Sequence, residues 1–490
     1  MSLIQIQNLT FSYDSGEKPL FENVSLSIDT NWKLGLIGRN GRGKTTLLKL
    51  MHGDYRYQGG ISASVSFEYF PYPISYPEEL AIEIVEEIVP GIEQWQIIRE
   101  LTLLQTDSEI LWRPFSSLSK GEQTKLLLAA LFLRENRFLL IDEPTNHLDA
   151  AGRAAVGAYL SRKKGFILVS HDRTLLDSCI DHVLSINRTN IELQRGNFSS
   201  WDENRRKTEQ FEETENDKLR RDIRRLSAAA RNAAGWSQQI ERSKYGEGPV
   251  DRGFIGHQSA KMMKRAKTLE KRRKKAVEEK SALLKNKEQI HTLKLSPLTF
   301  RLNRLFTCSN MTVAYSGDPV FNPVSFEMFR DERVCVMGKN GAGKSSLLKA
   351  ILGETLPIRG DIQRPSDLRI SYVPQDTSFL SGSLSEFAAK QEISESLLRA
   401  ILDKLAMGKD ELEHDLRSMS AGQKKKILIA GSLCEQAHLY IWDEPLNYID
   451  VISRIQIETL LLSFPSTMLF VEHDAAFCSK IATRTISLSR

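Results

Sequence analysis

Gly38-Arg39-Asn40-Gly41-Arg42-Gly43-Lys44-Thr45 follows the apolar run Leu34-Gly-Leu-Ile and opens the helical stretch TTLLKLMHG, which ends at Gly53. This is the GxxxxGK[ST] pattern in the setting that gives it meaning, between a buried strand and a helix. The glycines let successive backbone N–H groups turn inward around phosphate oxygens, at the positive end of the helix that starts there. Lys44 then reaches the β- and γ-phosphates of a nucleotide, Thr45 offers its hydroxyl to Mg2+, and Thr46 extends the same cradle. One such match can arise by chance. Here it recurs in full as Gly338-Lys339-Asn340-Gly341-Ala342-Gly343-Lys344-Ser345, with Ser346 in the place of Thr46.

The rest of the chain repeats with it. Leu118-Ser119-Lys-Gly121-Glu-Gln returns as Met419-Ser420-Ala-Gly422-Gln-Lys, and Leu140-Ile-Asp142-Glu143-Pro as Ile441-Trp-Asp443-Glu444-Pro. Val169-Ser-His171-Asp returns as Val471-Glu-His473-Asp. Order and spacing are kept, so this is a duplicated domain and not a solenoid of small units. Short apolar runs such as Phe138-Leu-Leu-Ile and Gly165-Phe-Ile-Leu-Val alternate with helical stretches, which predicts an α/β fold with buried parallel strands in each copy. The expected organisation is a first copy over 1–201, a linker over 202–292 and a second copy over 293–490.

Each copy carries a matched chemical set. Asp142 and Asp443 end apolar strands, where a carboxylate can hold the Mg2+ shell. Glu143 and Glu444 come next and are placed to polarise an attacking water, although an Asp-Glu pair can also merely cap a loop. His171 and His473 stand at strand ends, within reach of a γ-phosphate. The linker is different in kind. Leu219, Ile223, Leu226, Ala230 and Ala233, and later Met262, Ala266, Leu269, Ala276, Leu283 and Ile290, follow the spacing of two antiparallel helices. Gly246, Gly248, Pro249 and Gly253 mark the loop between them.

LSKGEQ and MSAGQK resemble the signature motif of ATP-binding cassette proteins. The resemblance implies two ABC-type cassettes, joined by a long α-helical hairpin, that bind ATP between them. One site would combine Lys44, Asp142, Glu143 and His171 with Ser420 and Gly422; the other would combine Lys344, Asp443, Glu444 and His473 with Ser119 and Gly121. Tyr13 and Tyr315 match the adenine-stacking aromatic, or are ordinary strand residues. EPTNHLD at 143–149, RGNFSSW at 195–201 and the charged linker make the whole chain similar to the ABC-F family, whose members are soluble and act on the ribosome. The second copy departs from that pattern in EPLNYID, with Leu446 and Tyr448. The first departs in EYFPY, which places Tyr72 where the second supplies Gln375 as a Mg2+ ligand. A phenol is the poorer ligand, so the two ATP sites are expected to be unequal.

The linker points to the partner. Residues 242–275 carry about nine more basic than acidic residues, more than the net charge of +5 of the whole chain. Like charges at i,i+4 repel unless a polyanion neutralises them, and a polyanion gains affinity by counterion release. Lys244, Tyr245, Arg252 and Phe254 on the glycine-bearing loop suit stacking on unpaired RNA bases, though such a loop can also pack on its own helices. By resemblance the linker would enter the ribosome from the exit-site side and meet ribosomal RNA and the exit- or peptidyl-site transfer RNA. The stretch KYGEGPVDRGFIGHQSAKMMKRAK at 244–267, no large insertion in the first cassette and no C-terminal extension resemble the antibiotic-resistance branch, of the lincosamide, pleuromutilin and streptogramin A type. A housekeeping translation factor and a transporter's ATPase subunit are the other readings. No run of about 18 apolar residues and no secretory leader are found, and five dispersed cysteines form no CxxC pair. A cytoplasmic, monomeric chain that pairs its own cassettes and binds neither membrane nor DNA is expected.

Overall fold

The computed structural model describes residues 2–13, 19–145, 148–187, 190–208, 297–315, 318–354, 356–405, 407–408 and 411–489, with nine scattered helical positions between 210 and 271. The chain divides into two compact units: Met1–Trp201 with His291–Arg490, and Asp202–Ile290.

The first cassette opens with β1 (Leu3–Phe11), β2 (Phe21–Asp29), β3 (Lys33–Gly38), β4 (Gln58–Ser62) and β5 (Ser66–Phe70), and α1 (Lys44–His52) follows β3 directly. Its helical part holds α2 (Ala81–Ile88), α3 (Gln94–Leu103) and α4 (Lys120–Leu133). Then come β6 (Arg137–Asp142), α5 (Ala150–Arg162), β7 (Phe166–Val169), α6 (Arg173–Cys179), β8 (His182–Ile186) and β9 (Ile191–Arg195). The main sheet runs β5-β6-β7-β3-β8-β9, parallel except for its last strand, and β2-β1-β4 form a separate antiparallel sheet. In the second cassette β10 (Arg304–Tyr315) pairs with β11 (Asp318–Pro319), β12 (Val324–Phe329) and β14 (Ile358–Gln363). Its main sheet runs β15 (Ile370–Val373), β16 (Leu439–Asp443), β17 (Met468–Val471), β13 (Arg333–Met337), β18 (Arg484–Ser487). The fold is the α/β class that the alternating apolar runs predict.

Both parallel sheets are buried on two faces, which is why their strands read as unbroken apolar runs. Phe138–Ile141 and Phe166–Val169 are almost fully enclosed, as are Leu439–Trp442 and Met468–Val471. Each P-loop needs its last glycine. Gly43 and Gly343 hold left-handed φ values of 88° and 82°. A Cβ on Gly43 would stand 2.8 Å from the Phe21 ring, and one on Gly343 would stand 2.7 Å from Phe321. The cores also meet. Val451 of the second cassette lies buried in the first cassette's cluster, with Ile452 and Ile455 packed against it.

The described positions of the other unit are helical. Asp202 pairs with Arg205 and Arg206 at 2.7 and 2.6 Å, and Glu203 with Lys207 at 2.7 Å. The loop residues Lys244, Tyr245, Arg252 and Phe254, and the apolar seam from Leu219 to Ile290, lie outside the described residues.

Candidate functional site

In each main sheet the P-loop strand lies between two parallel neighbours. Ligands of open α/β sheets bind beyond the carboxyl ends of such strands. β3, β6 and β7 bring the P-loop, Asp142-Glu143 and His171 to one edge in the first cassette, and β13, β16 and β17 do the same for Asp443-Glu444 and His473 in the second. Lys44 is buried and its Nζ donates to the carbonyls of Gly38 and Arg39 at 2.7 and 3.2 Å. Lys344 donates in the same way to Gly338 and Lys339 at 2.9 and 3.0 Å. Burial lowers the affinity of both ammonium groups for their proton, against the nearby carboxylates.

Thr45 Oγ1 donates to Asp142 Oδ2 at 2.6 Å, and Ser345 bonds Asp443 in the second cassette. Tyr69 also donates to Asp142 Oδ2, at 3.0 Å. Sequence reasoning missed Tyr69; the signal was its repetition as Tyr372 one residue before the end of β15. Tyr13 and Tyr315 each keep about half of their surface exposed, and their hydroxyls reach Thr46 and Ser346 at 2.7 and 3.4 Å.

Glu143 and Glu444 both adopt left-handed backbone, φ 50° and 44°, unusual for a glutamate and concentrated at functional sites in folded proteins. His171 Nε2 stands 3.1 Å from Glu143 Oε1, and His473 Nε2 3.4 Å from Glu444 Oε1. Beyond that they differ. Glu444 Oε2 accepts from Gln375 Nε2 at 2.7 Å and from Asn447 Nδ2 at 2.6 Å. Against the effect of burial, His473 and these amides hold its carboxyl below the usual range. Glu143 accepts no side-chain amide among the described residues, and His171 is what approaches its buried carboxylate. Burial, then the charge of Asp142, pushes its carboxyl up to about 8. Strand register makes Tyr72 the counterpart of Gln375, since Phe70 pairs with Ile141 as Val373 pairs with Trp442. Tyr72 packs against the first cassette's core instead of reaching the acid.

The signature serines are helix N-caps. Ser119 closes a capping box with Glu122, and Ser420 one with Gln423. Across the first site the second cassette comes into contact. Asn40 Nδ2 donates to the Tyr448 carbonyl at 2.7 Å, and the Asn40 amide to Asp450 Oδ2 at 3.4 Å. Gly422 is wedged there: a Cβ on it would meet the Tyr448 carbonyl at 2.4 Å and Asn40 Nδ2 at 2.9 Å. Tyr448, a departure from the family pattern in sequence, thus contributes through its backbone, at φ 63°. Asp450 is fully buried, and against that burial Lys426, the Ser453 amide and Lys44 keep it ionised. Asp450 closes the EPLNYID stretch without a role assigned to it there, and Lys426 carried no signal in the motif reading. At the second site the charge of Asp149 reaches Lys344. The counterparts of Asn447 and Tyr448 are residues 146–147, outside the described ones. Among the described residues no helix is long and apolar enough to cross a membrane.

The ABC transporter family matches residues 21–146 and 321–447, just over half of the chain and one block in each cassette. The chain is 27% identical over 547 residues to the putative ATP-binding protein YdiF of Bacillus subtilis, covering 100% of this chain and 80% of that protein. It is 28% identical over 492 residues to the ribosome protection protein VmlR of the same organism, covering 98% and 85%. In three dimensions it resembles an archaeal ribosome recycling factor, aABCE1, solved with a ribosomal stalk protein. That match has a TM-score of 0.62 at 17% identity over 99% of this chain and 87% of the other, a likeness of fold alone.

Proposed function

Because the chain belongs to the ABC transporter family of ATP-binding cassette proteins and hydrolyses ATP, we propose that it is a ribosome-binding ATPase of the ABC-F kind. In this reading it protects the ribosome from antibiotics acting at the peptidyl-transferase region. The observation that carries the reading is the similarity to a ribosome protection protein across 98% of this chain, linker included. The basic linker of residues 242–275 supplies the matching chemistry for a polyanionic partner.

Two ATP molecules would be held, each between one P-loop and the other cassette's signature helix. The Asn40–Tyr448 bond and the wedged Gly422 support this for the Lys44 site. Lys44 and Lys344 neutralise phosphate charge. Mg2+ fits the oxygen set of Thr45, Asp142, Ser345, Gln375 and Asp443: Asp443 Oδ1 is buried and has no hydrogen-bond partner among the described residues. When bound, the ion polarises the γ-phosphoryl group. Glu143 and Glu444 orient the attacking water and take its proton as the bond to the departing ADP oxygen breaks. His171 and His473 fix those acids and meet the γ-phosphate. Closure presents the linker to ribosomal RNA and transfer RNA, with Lys244, Tyr245, Arg252 and Phe254 at the drug region, and hydrolysis releases a cytoplasmic, monomeric protein.

The test begins with co-sedimentation in ATP of the chain carrying Glu143→Gln and Glu444→Gln. It should lose turnover by about 10²–10⁴ while retaining ATP, and should pellet with ribosomes. Pelleting with membranes instead would establish the transporter reading. Drug susceptibility of a sensitive host, with and without the gene, across several ribosomal drug classes then decides protection. Replacing residues 244–255 by a Gly-Ser loop should abolish resistance and spare ATP hydrolysis; unchanged resistance would remove the loop from the mechanism.

A further inference from the structure

Arg173 starts α6, two residues after His171, and is buried at 5% exposure. Its guanidinium does not serve its own cassette. It crosses to the second one, bonding the Glu458 carboxylate and lying 3.3 Å from Asp474 Oδ2. Asp474 directly follows His473 and caps the helix Ala475–Ile481, accepting the Phe477 amide at 3.0 Å. The same carboxylate receives Arg454 Nη1 at 3.1 Å. Arg454 in turn holds the carbonyls of Ile449 and Leu446 at 2.9 and 3.0 Å, inside the loop that runs from Glu444 to Asp450. A side chain of the first cassette is therefore one contact away from the His473 loop of the second and three from its Glu444 loop.

The pseudo-twofold relation between the cassettes isolates what is special. Arg153 is the counterpart of Arg454, at the same offset from the capping Asp149 and Asp450, and it meets Asp172 at 3.6 Å and the Leu148 carbonyl at 3.1 Å. That half of the arrangement is present twice. The crossing half exists once. Ala475 stands where Arg173 would have its counterpart, and Gly157 where Glu458 would. Gly157 leaves no room for a carboxylate: even a Cβ there would lie 2.9 Å from Ser178 Oγ and 3.3 Å from Leu175 Cδ1.

We propose that Arg173 is a positioning residue through which the closed first cassette sets the His473 and Glu444 loops for hydrolysis at the Lys344 site, with no counterpart arginine acting on the Lys44 site. The inference rests on the assignment of the two ATP sites made above. It gives the interface a direction: closure is sensed by the second site. A buried ion cluster by itself is weak evidence for stability, because desolvation offsets most of its attraction. Simple adhesion between cassettes would act on both sites alike and chiefly on the concentration of ATP needed for closure.

The experiment measures ATPase rate against ATP concentration for Glu143→Gln, which leaves the Lys344 site, and for Glu444→Gln, which leaves the Lys44 site. Each is measured with and without Arg173→Ala. Arg173→Ala should lower kcat at the Lys344 site by about tenfold or more with KM changed less than about twofold, as misplacement of a catalytic group does. At the Lys44 site the change should stay under about twofold. Arg173→Lys, which keeps the charge but loses the two-pronged geometry, should fall between, and it decides the matter if the alanine variant does not fold. Equal losses at both sites, a loss confined to KM, or no loss at either site overturns the proposal. Should the single glutamine variants alone keep the wild-type rate, the assignment of the acids has failed. The otherwise wild-type chain then decides, and its kcat must still fall more than about twofold with Arg173→Ala.

Discussion

Glu143 and Glu444 end matching strands, share a left-handed backbone and each face a histidine across about the same distance. Yet Glu444 sits in two amide hydrogen bonds that lower its affinity for a proton, while burial and the charge of Asp142 raise that of Glu143 against Lys44 and Arg454. The backbone that positions the acid was duplicated; in the polar shell Tyr72 replaces Gln375, and the counterpart of Asn447 is Asn146, outside the described residues. As general bases, the role proposed for both, the two glutamates would then start from different charge states.

The sharpest way to break that comparison is to silence the sites singly. Glu444→Gln should remove most of the ATPase activity, about 10²-fold at its own site, whereas Glu143→Gln should leave more than about half of the total. Steady-state rates of the two variants suffice, and equal residual activity would abolish the asymmetry.

The repeat made most of this legible. Two P-loops, two Asp-Glu-Pro turns and two histidines fixed the α/β order and the position of each site, because a phosphate cradle needs glycine at stated spacings and a buried strand needs unbroken apolar runs. What crosses the cassette interface was hidden. Arg173, Lys426 and Asp450 lie far apart in sequence and acquire their roles only through packing. Tyr448 contributes a carbonyl, which every residue type offers. The charge of Glu143 was hidden for another reason: it follows from burial and from the charges packed around it, and no motif records these.

Closure over the Lys44 site offers the next test. Gly422→Ala places a methyl group 2.4 Å from the Tyr448 carbonyl, so backbone must shift. Overpacking of this kind typically costs about 1–3 kcal/mol, enough to raise the ATP concentration for closure by about tenfold. Titrating ATP-dependent protease protection would show it, and an unchanged midpoint would mean that the wedge is not used. A smaller effect is expected from Tyr72→Gln, which restores an amide at the position of Gln375. In a Glu444→Gln chain it should raise turnover a few-fold, roughly 2–5 times, by helping to orient Mg2+ and the acid. No measurable rise would leave the asymmetry to the burial of Glu143.

The least effect on turnover is expected where the cassettes differ most in their cores. Glu100 on α3 is 1% exposed and accepts from Tyr159 at 2.7 Å, Lys163 and Arg99. The second cassette fills the matching positions with Ile401, Leu460 and Phe464, all buried. Burial opposes the charge of Glu100, but Lys163 and Tyr159 outweigh it and depress its affinity for a proton. A carboxyl depressed in the folded state contributes stability above its unfolded value of about 4.3, and that contribution is lost as pH falls through the folded value. Glu100→Gln should therefore destabilise by about 1–3 kcal/mol at pH 7, with Lys163 left unpaired, and by less as the wild type loses its own advantage in acid. Converting all three residues to the second cassette's set, Glu100→Ile with Tyr159→Leu and Lys163→Phe, should be nearly neutral or stabilising, because hydrocarbon of similar volume replaces a buried ion pair without its desolvation cost. Thermal melts at pH 7 and near pH 4, read beside the ATPase rate, test both statements. A glutamine penalty that does not shrink in acid would show that Glu100 acts by shape and not by charge. A large loss from the triple exchange would show that the two helical cores, unlike the two sheets, cannot be interchanged.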